Sequence, residues 1–294
     1  MAITLDRQRT PAAPIQRDST MQQRLGRVAA WVLLIGAAVV ALFPLYWLFL
    51  SAVTPTTESI KIPPDFIPIH ASIENFQKLF RQAKDYPRWF ANSLLITLSI
   101  TFFHLFVDTL AGYGFAKKEF PGKGILFAVL LSTLMIPPQV TLVPLYIVTR
   151  NLNLLNNPLA VILQGSANVL GVFLMRQYIQ TLPRELEDAA RVDGCSEFGV
   201  FWRVILPLSR PAMGALAIFT FVRHWNDYIW PLITLTKSSN YTLPVGVASL
   251  QTEFQTDYGI IFAGAALAAL PIIVFFLLFQ RSFLEGVRMG AVKG

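Results

Sequence analysis

Apolar residues gather in six long runs, and the charge is left to the stretches between them. A bilayer-crossing helix needs about 20 consecutive, mostly apolar residues, so the runs predict six transmembrane helices. The first covers residues 28–53 and carries no charge. The second, 90–116, is interrupted by His104 and Asp108, and the third, 125–149, by Pro137, Pro138 and Pro144. The fourth covers 158–182 with Arg176 near its end, the fifth 211–235, and the sixth 258–280. The first run is longer than a signal-peptide core and no small-residue cleavage site follows it, which predicts an uncleaved helix. The fold class predicted is therefore an all-α integral membrane protein. Its expected parts are an N-terminal tail (1–27), the first helix (28–53), a loop (54–89), a five-helix core (90–281) and a C-terminal tail (282–294). The Thr-, Pro- and Gln-rich start of the tail reads as disordered. In the 54–89 loop, Pro63, Pro64 and Pro68 favour extended chain.

Composition strengthens this picture. The chain of 294 residues is 54% hydrophobic and 14% charged, with a mean hydropathy of +0.53; soluble domains carry about 25% charge. A soluble enzyme is excluded. The net charge of +7 need not mean nucleic acid, because Lys and Arg collect on the cytoplasmic side of membrane proteins. Here they fall mainly before the first run (Arg7, Arg9, Arg17, Arg24, Arg27), after the second (Lys117, Lys118, Lys123), around the fourth connection (Arg176, Arg184, Arg191, Arg203, Arg210) and at the end (Arg281, Arg288, Lys293). Both termini and the fourth connection are thus expected in the cytoplasm. One cysteine, Cys195, and three scattered histidines leave no metal site, and no constellation of nucleophile and base suggests catalysis.

The fourth connection, residues 183–210, is the most informative stretch. Pro183 suits a helix start, and Glu185, Glu187 and Asp188 sit near the positive N-terminal end of that helix. Gly194 fits the left-handed position that ends a helix, and Ser196 can cap a second helix. Phe198, Phe201, Val204 and Ile205 recur at helical spacing in that second helix. Pattern alone allows an inert interfacial helix-turn-helix. The residues themselves, Asp188-Ala189-Ala190, Asp193-Gly194 and Leu206-Pro207-Leu208, closely resemble the EAA loop of permease subunits of ATP-binding-cassette (ABC) importers. Trp225-Asn226-Asp227-Tyr228 in the fifth run, Tyr241 to Gly246 after it, and the C-terminal Gly290 to Gly294 extend the resemblance. They are similar to the smaller, six-span partner of the maltose-type carbohydrate importer permeases. Asp188 stands where the family has glutamate, Cys195 where alanine is common, and Arg288-Met289 replace the usual Leu-Thr.

The resemblance implies a type I ABC importer permease fold and a transport subunit of an ATP-driven, binding-protein-dependent sugar importer in the inner membrane. It is not itself an enzyme: no phosphate-cradling G-x-x-x-x-G-K-[ST] loop is present, so ATP and Mg would be bound by a separate ATPase and no cofactor by this chain. The implied partners are a second permease subunit, two copies of a cytoplasmic ATPase, an extracytoplasmic solute-binding protein and the lipid bilayer, with no nucleic acid. Glu187, Asp188, Ala189, Ala190, Asp193, Gly194 and Pro207 would couple this chain to the ATPase. Val292, Lys293 and Gly294 would add a C-terminal contact, and residues 241–257 would face the binding protein. Non-sugar solutes such as a glycerol phosphodiester or a polyol fit the same superfamily. An ion-coupled transporter is the rival from another class.

A charge inside the bilayer needs a reason, since it costs roughly 2.5–3.5 kcal/mol on insertion scales. Trp225, Asn226 and Asp227 are candidates for the translocation path. Asp227 is spaced to pair with Arg223 or His224 on one helical face. His104 and Asp108, four apart, make either a proton relay or a buried polar pair, the latter being favoured. Pro137-Pro138 makes a gate hinge or, preferably, a simple kink, and Cys195 a small apolar filler.

Overall fold

The computed structural model describes residues 21–56, 65–68, 70–166, 168–251 and 257–291, with side chains described up to 280. Val292, Lys293 and Gly294 and most of the N-terminal tail lie outside the described residues. The described residues are helical with no strand. In chain order the helices are α1 (Met21–Val53), α2 (Glu74–Gln82), α3 (Tyr86–Lys117), α4 (Lys123–Ser132), α5 (Pro138–Asn151), α6 (Pro158–Gly165) and α7 (Val169–Ile179). They continue with α8 (Glu185–Val192), α9 (Glu197–Leu208), α10 (Arg210–Trp225), α11 (Ile229–Thr234), α12 (Leu243–Ala248) and α13 (Tyr258–Ala291).

The chain divides into two units, Met1–Trp47 and Leu48–Gly294. The first is described as the long apolar run of α1, whose Trp31, Leu33 and Val40 are exposed. In the second, large apolar side chains such as Phe102, Ile125, Met135, Phe219 and Leu278 are also exposed. So much bare hydrocarbon is unsustainable in water and matches a lipid environment.

Three helices are long and apolar enough to cross a membrane unaided: Arg24–Val53, Tyr86–Lys117 and Tyr258–Gln280. The other predicted runs are broken. At Pro137-Pro138 the chain turns by 100° between Lys123–Met135 and Pro138–Asn151, a corner rather than the expected kink. The cause is local: Pro138 occupies the first turn of α5, and Ile136, forced out of helical geometry by the proline that follows it, is extended at φ −84° and ψ 117°. The fourth run stops after Gly165 and restarts at Val169, where the Asn168 side chain accepts the Leu170 N–H at 3.0 Å. The fifth ends at Trp225 instead of continuing to 235, because the Asn226 amide turns back to donate to the Val222 carbonyl at 2.8 Å. Such side chains compete with the helical ladder for backbone partners.

Three apolar clusters are strung along α3. At its start, Tyr86 and Trp89 meet Leu79 of α2, Phe221 and Trp225 of α10, and Ile260 and Ala263 of α13. In its middle, Ile96 and Ile100 meet Val161 and Ile162 of α6 and Trp230 of α11. At its end, Tyr113 and Ala116 meet Met175 and Ile179 of α7, Ala190 of α8, and Val200, Phe201 and Ile205 of α9. Helix α2 arises where the loop was expected to be extended, although Pro63 and Pro64 lie outside the described residues. The buried Asn75 explains its place: its amide donates to the Ala52 and Thr54 carbonyls at 3.1 and 2.8 Å, satisfying the free end of α1.

Candidate functional site: the charged elbow and the polar cleft

Residues 183–210 fold as two helices joined by a tight turn. Helix α8 has Glu185, Glu187 and Asp188 in its first turn. It ends at Gly194, whose φ of +82° suits glycine, and the Gly194 and Cys195 N–H groups close the turn on the Arg191 and Ala190 carbonyls at 3.0 and 2.9 Å. The Ser196 hydroxyl then accepts the Gly199 N–H at 3.2 Å and starts α9. Within α9 the turn widens to π geometry over Phe201–Ile205, directly before Pro207, which has no N–H and whose ring crowds the carbonyl one turn back. The bend from α9 into α10 is 74°.

This elbow has a fastened face and an open one. Ala190, Val200, Phe201 and Ile205 pack onto the bundle, with Cys195 half-buried as filler beside them. Glu187 is only 2% exposed. Its carboxylate accepts the Tyr113 hydroxyl and the Arg191 guanidinium, both at 3.2 Å, and lies 3.6 Å from the Lys117 ammonium. Lys117 also donates to the Leu182 carbonyl at 2.5 Å. Arg191 donates to Asp188 at 2.7 Å and to Glu197 at 2.8 Å, and Glu197 is paired in turn with Lys118. The hydrogen bond from Arg191, then that from Lys118, holds the Glu197 carboxyl down at about 2. Glu197, first among its partners, holds the Arg191 guanidinium above its ordinary value. On the open face Asp188, Val192 and Phe198 are exposed, Val192 at 88%.

The expected coupling residues therefore divide. Glu187 and Ala190 point into the bundle, Asp188, Ala189, Asp193 and Gly194 lie on the surface, and Pro207 is half-buried. Sequence inspection missed Tyr113, Lys117, Lys118 and Glu197 as members of the network. No local pattern signals the three on α3 and its end, since Tyr113 and Glu187 are 74 positions apart, whereas Glu197 lies only six positions from Arg191.

Deeper in the bundle, His104 is bound on both ring nitrogens, at 2.6 Å to Asp108 and 2.6 Å to the Gly165 carbonyl. This is the favoured buried polar pair, and it also ties α3 to the break after α6. The Asp108 carboxylate lies where a side chain on Gly171 would stand, so α7 approaches α3 this closely only because position 171 is glycine.

Around the end of α10 the three path candidates separate. Trp225 is 2% exposed, stacked 5.6 Å from Phe221, with its indole N–H donating to the Ala268 carbonyl at 3.0 Å. It lines, with Asn226, Pro244 and Gln251, an apolar cleft of about 410 Å³. Asp227 faces another cleft, of about 220 Å³, whose lining includes Gln139, Gln164, Arg223, His224 and Trp230. The predicted pairing of Asp227 with Arg223 or His224 on one helical face does not occur. Helix α10 ends before Asp227, and among the described residues no ion pair within 4.0 Å joins it to either.

Known proteins place this architecture. Residues 108–289 match the family described as "Binding-protein-dependent transport system inner membrane component". The arabinooligosaccharides transport system permease protein AraQ of Halalkalibacterium halodurans is 38% identical over 279 residues, covering 93% of this chain and 100% of that protein. The lactose transport system permease protein LacG of Rhizobium radiobacter is 33% identical, covering 94% and 99%. Among solved structures, a chain of a bacterial ABC transporter involved in the import of the acidic polysaccharide alginate superposes with a TM-score of 0.79 at 20% identity. The match covers 90% of this chain and 98% of that one, and shows the shared fold. With more than half its length matched by the family and relatives aligned nearly end to end, the chain belongs to the binding-protein-dependent transport system inner membrane components.

Proposed function

We propose that this chain is one permease subunit of an ATP-driven, binding-protein-dependent saccharide importer, coupled to its motor through the 183–210 elbow. The observation that carries this reading is the two-faced elbow: one face bolted to α3, α7 and α10 by packing and buried charge, the other presenting Asp188, Val192 and Phe198. A rigid lever needs both. An ATPase that grips the open face moves α8 and α9 as one body, and the Glu187–Lys117–Tyr113 tie passes that motion to the end of α3. Asp188, with Ala189, Asp193 and Gly194, then makes the ATPase contact, while Glu187, Ala190 and Pro207 hold the lever's shape. Val292, Lys293 and Gly294 add a second contact.

The proposed topology has six spans, α1, α3, the bent pairs α4–α5 and α6–α7, α10 with its extension, and α13, with the arginine-rich tail, the elbow (α8 and α9) and the C-terminus in the cytoplasm. Partners are a second permease, two copies of the ATPase, which bind the ATP and Mg, and an extracytoplasmic binding protein facing residues 241–257. Saccharide is favoured over glycerol phosphodiesters and polyols by the relatives named for arabinooligosaccharides and lactose transport, which align nearly end to end.

The test is saccharide uptake into vesicles carrying the full assembly. Uptake is expected to need ATP and the ATPase and to survive collapse of ion gradients; uptake driven by a gradient without ATP overturns the reading. Full transport by a Glu187→Ala, Asp188→Ala double variant would remove the elbow from the mechanism.

A further inference from the structure

Arg176 interrupts an apolar run and has no part in the coupling scheme. It stands in the last turn of α7, three residues before the end of that helix, and its Nε–H donates at 3.3 Å to the carbonyl of Phe115, two residues before the end of α3. Both ends adjoin the charged elbow, where the hydrocarbon core gives way to a headgroup layer roughly 5–8 Å deep. At the same corner Lys117, Lys118 and Lys123 are each paired with a carboxylate, those of Glu187, Glu197 and Glu119. Arg176 is paired with none among the described residues, and the Phe115 carbonyl is its one hydrogen-bond acceptor there. Its guanidinium carbon lies 4.2 Å from the centre of the Phe127 ring of α4, and that ring meets Phe115 at 5.2 Å and stacks on Phe173 of α7 at 6.5 Å. A long basic side chain near a helix end ordinarily snorkels freely into water. This one is held over a ring and against a carbonyl, with its terminal NH2 groups unpartnered. No residue of α4 is buried, and Ile125, Leu126 and Val129 of α4 and Leu170 of α7 are exposed. A pinned, uncompensated guanidinium on helices that carry bare hydrocarbon has the chemistry of a phospholipid site: paired N–H groups for a phosphate and apolar side chains for the acyl chains.

We propose that Arg176, seated on Phe127 where α3, α4 and α7 meet, binds the phosphate of one anionic phospholipid, whose acyl chains lie along the exposed apolar side chains of α4 and α7. The planar guanidinium offers a phosphate two parallel hydrogen bonds, and its stacking on Phe127 fixes the plane of that fork in advance. A soluble anion would have to leave water to reach an apolar surface, whereas a lipid brings its phosphate to this level with its own hydrocarbon. Phosphatidylcholine carries a cation beside its phosphate and has no net charge to give; an anionic headgroup neutralises the odd cation of the corner. The bound lipid then braces α3, α4 and α7 beside the Lys117–Glu187 tie. This assignment needs only membrane residence and is independent of the importer reading above.

The experiment is native mass spectrometry of the purified permease–ATPase complex, released from nanodiscs of phosphatidylcholine mixed with phosphatidylglycerol over a series of compositions. Wild type is expected to retain phosphatidylglycerol in preference to phosphatidylcholine. Hydrogen bonds between charged groups are worth about tenfold or more in affinity, so Arg176→Gln is expected to weaken the tightest retained phosphatidylglycerol about tenfold. Arg176→Lys keeps the charge without the planar fork and is expected to fall between the two; it carries the test if Arg176→Gln does not assemble. Arg184→Gln removes an exposed cation on the same side of the bundle and is expected to change nothing. Equal retention of the two lipids by wild type, as when the second permease covers this face, overturns the site. So does retention unchanged in both Arg176 variants, or an equal loss in Arg184→Gln, which would mean a diffuse attraction of the whole basic surface.

Discussion

At the scale of single residues, neighbours in sequence have opposite duties. Glu187 and Asp188 are adjacent acids in α8, yet one is 3% and the other 69% exposed along the side chain, and Lys117, the cation against Glu187, is 4% exposed. Removing one partner of a buried pair leaves the other uncompensated, at about 3 kcal/mol or more. Glu187→Gln is therefore expected to lower the thermal midpoint of the purified chain clearly. Asp188→Ala breaks only a surface pair with Arg191, worth under about 1 kcal/mol, and is expected to leave the midpoint nearly unchanged while reducing co-purification with the ATPase. Equal effects of the two on stability would contradict the division of faces. Trp225 offers a similar contrast. A buried Trp→Ala change costs about 3–5 kcal/mol, so Trp225→Ala is expected to act first on stability, measured by thermal unfolding in detergent. These distinctions were not legible in the sequence. Periodicity put Glu187 and Asp188 on the first turn of a helix but could not say which direction met the bundle, because the answer depends on Tyr113 and Lys117, on another helix far away in the chain.

At the scale of elements, the elbow is set by short-range chemistry and secured by long-range charge. Its turn and second helix start follow from Gly194 and Ser196, which stand as their residue types predict, while Pro183 lies just before the Arg184 that precedes α8. Its stiffness comes from Arg191, Glu197 and Lys118, which bridge α8, α9 and the end of α3. The Glu197 carboxyl sits at about 2 in the folded chain against an ordinary 4.5. A depressed carboxylate stabilises the fold above its unfolded value, and that contribution is lost as pH falls. The stability difference between wild type and Glu197→Gln is therefore expected to be full above about pH 4.5 and to vanish as pH falls from 4.5 toward 2, read from thermal midpoints across that range. A difference independent of pH would mean that the pairs do not stabilise the elbow. The broken helices teach the converse lesson: Asn226 and Asn168 are local stop signals that the apolar runs concealed, because hydropathy measures partition into lipid and not the hydrogen-bond competition that ends a helix.

At the scale of the whole molecule, sidedness tests the proposed coupling of the elbow to an ATPase. Cys195 is the only cysteine in the chain and lies half-buried in the elbow, which makes it a native reporter. A membrane-impermeant maleimide is expected to label it in inside-out vesicles and not in right-side-out ones; the reverse pattern would place the elbow outside the cell and remove it from the ATPase. The bundle around it rests on close approach, with Gly171 admitting the Asp108 carboxylate and His104 holding α3 against the break after Gly165.

Membrane residence, helical class, the elbow's turn and the family were all written in local chemistry: apolar runs long enough for lipid, a proline, a left-handed glycine, a capping serine and a short string of family residues. These are properties of neighbours along the chain. Which acid is buried, and that Trp225 belongs to the core while Asp227 faces a polar cleft, were decided only by packing. Each depends on which distant surfaces meet, and one-dimensional spacing does not carry that information.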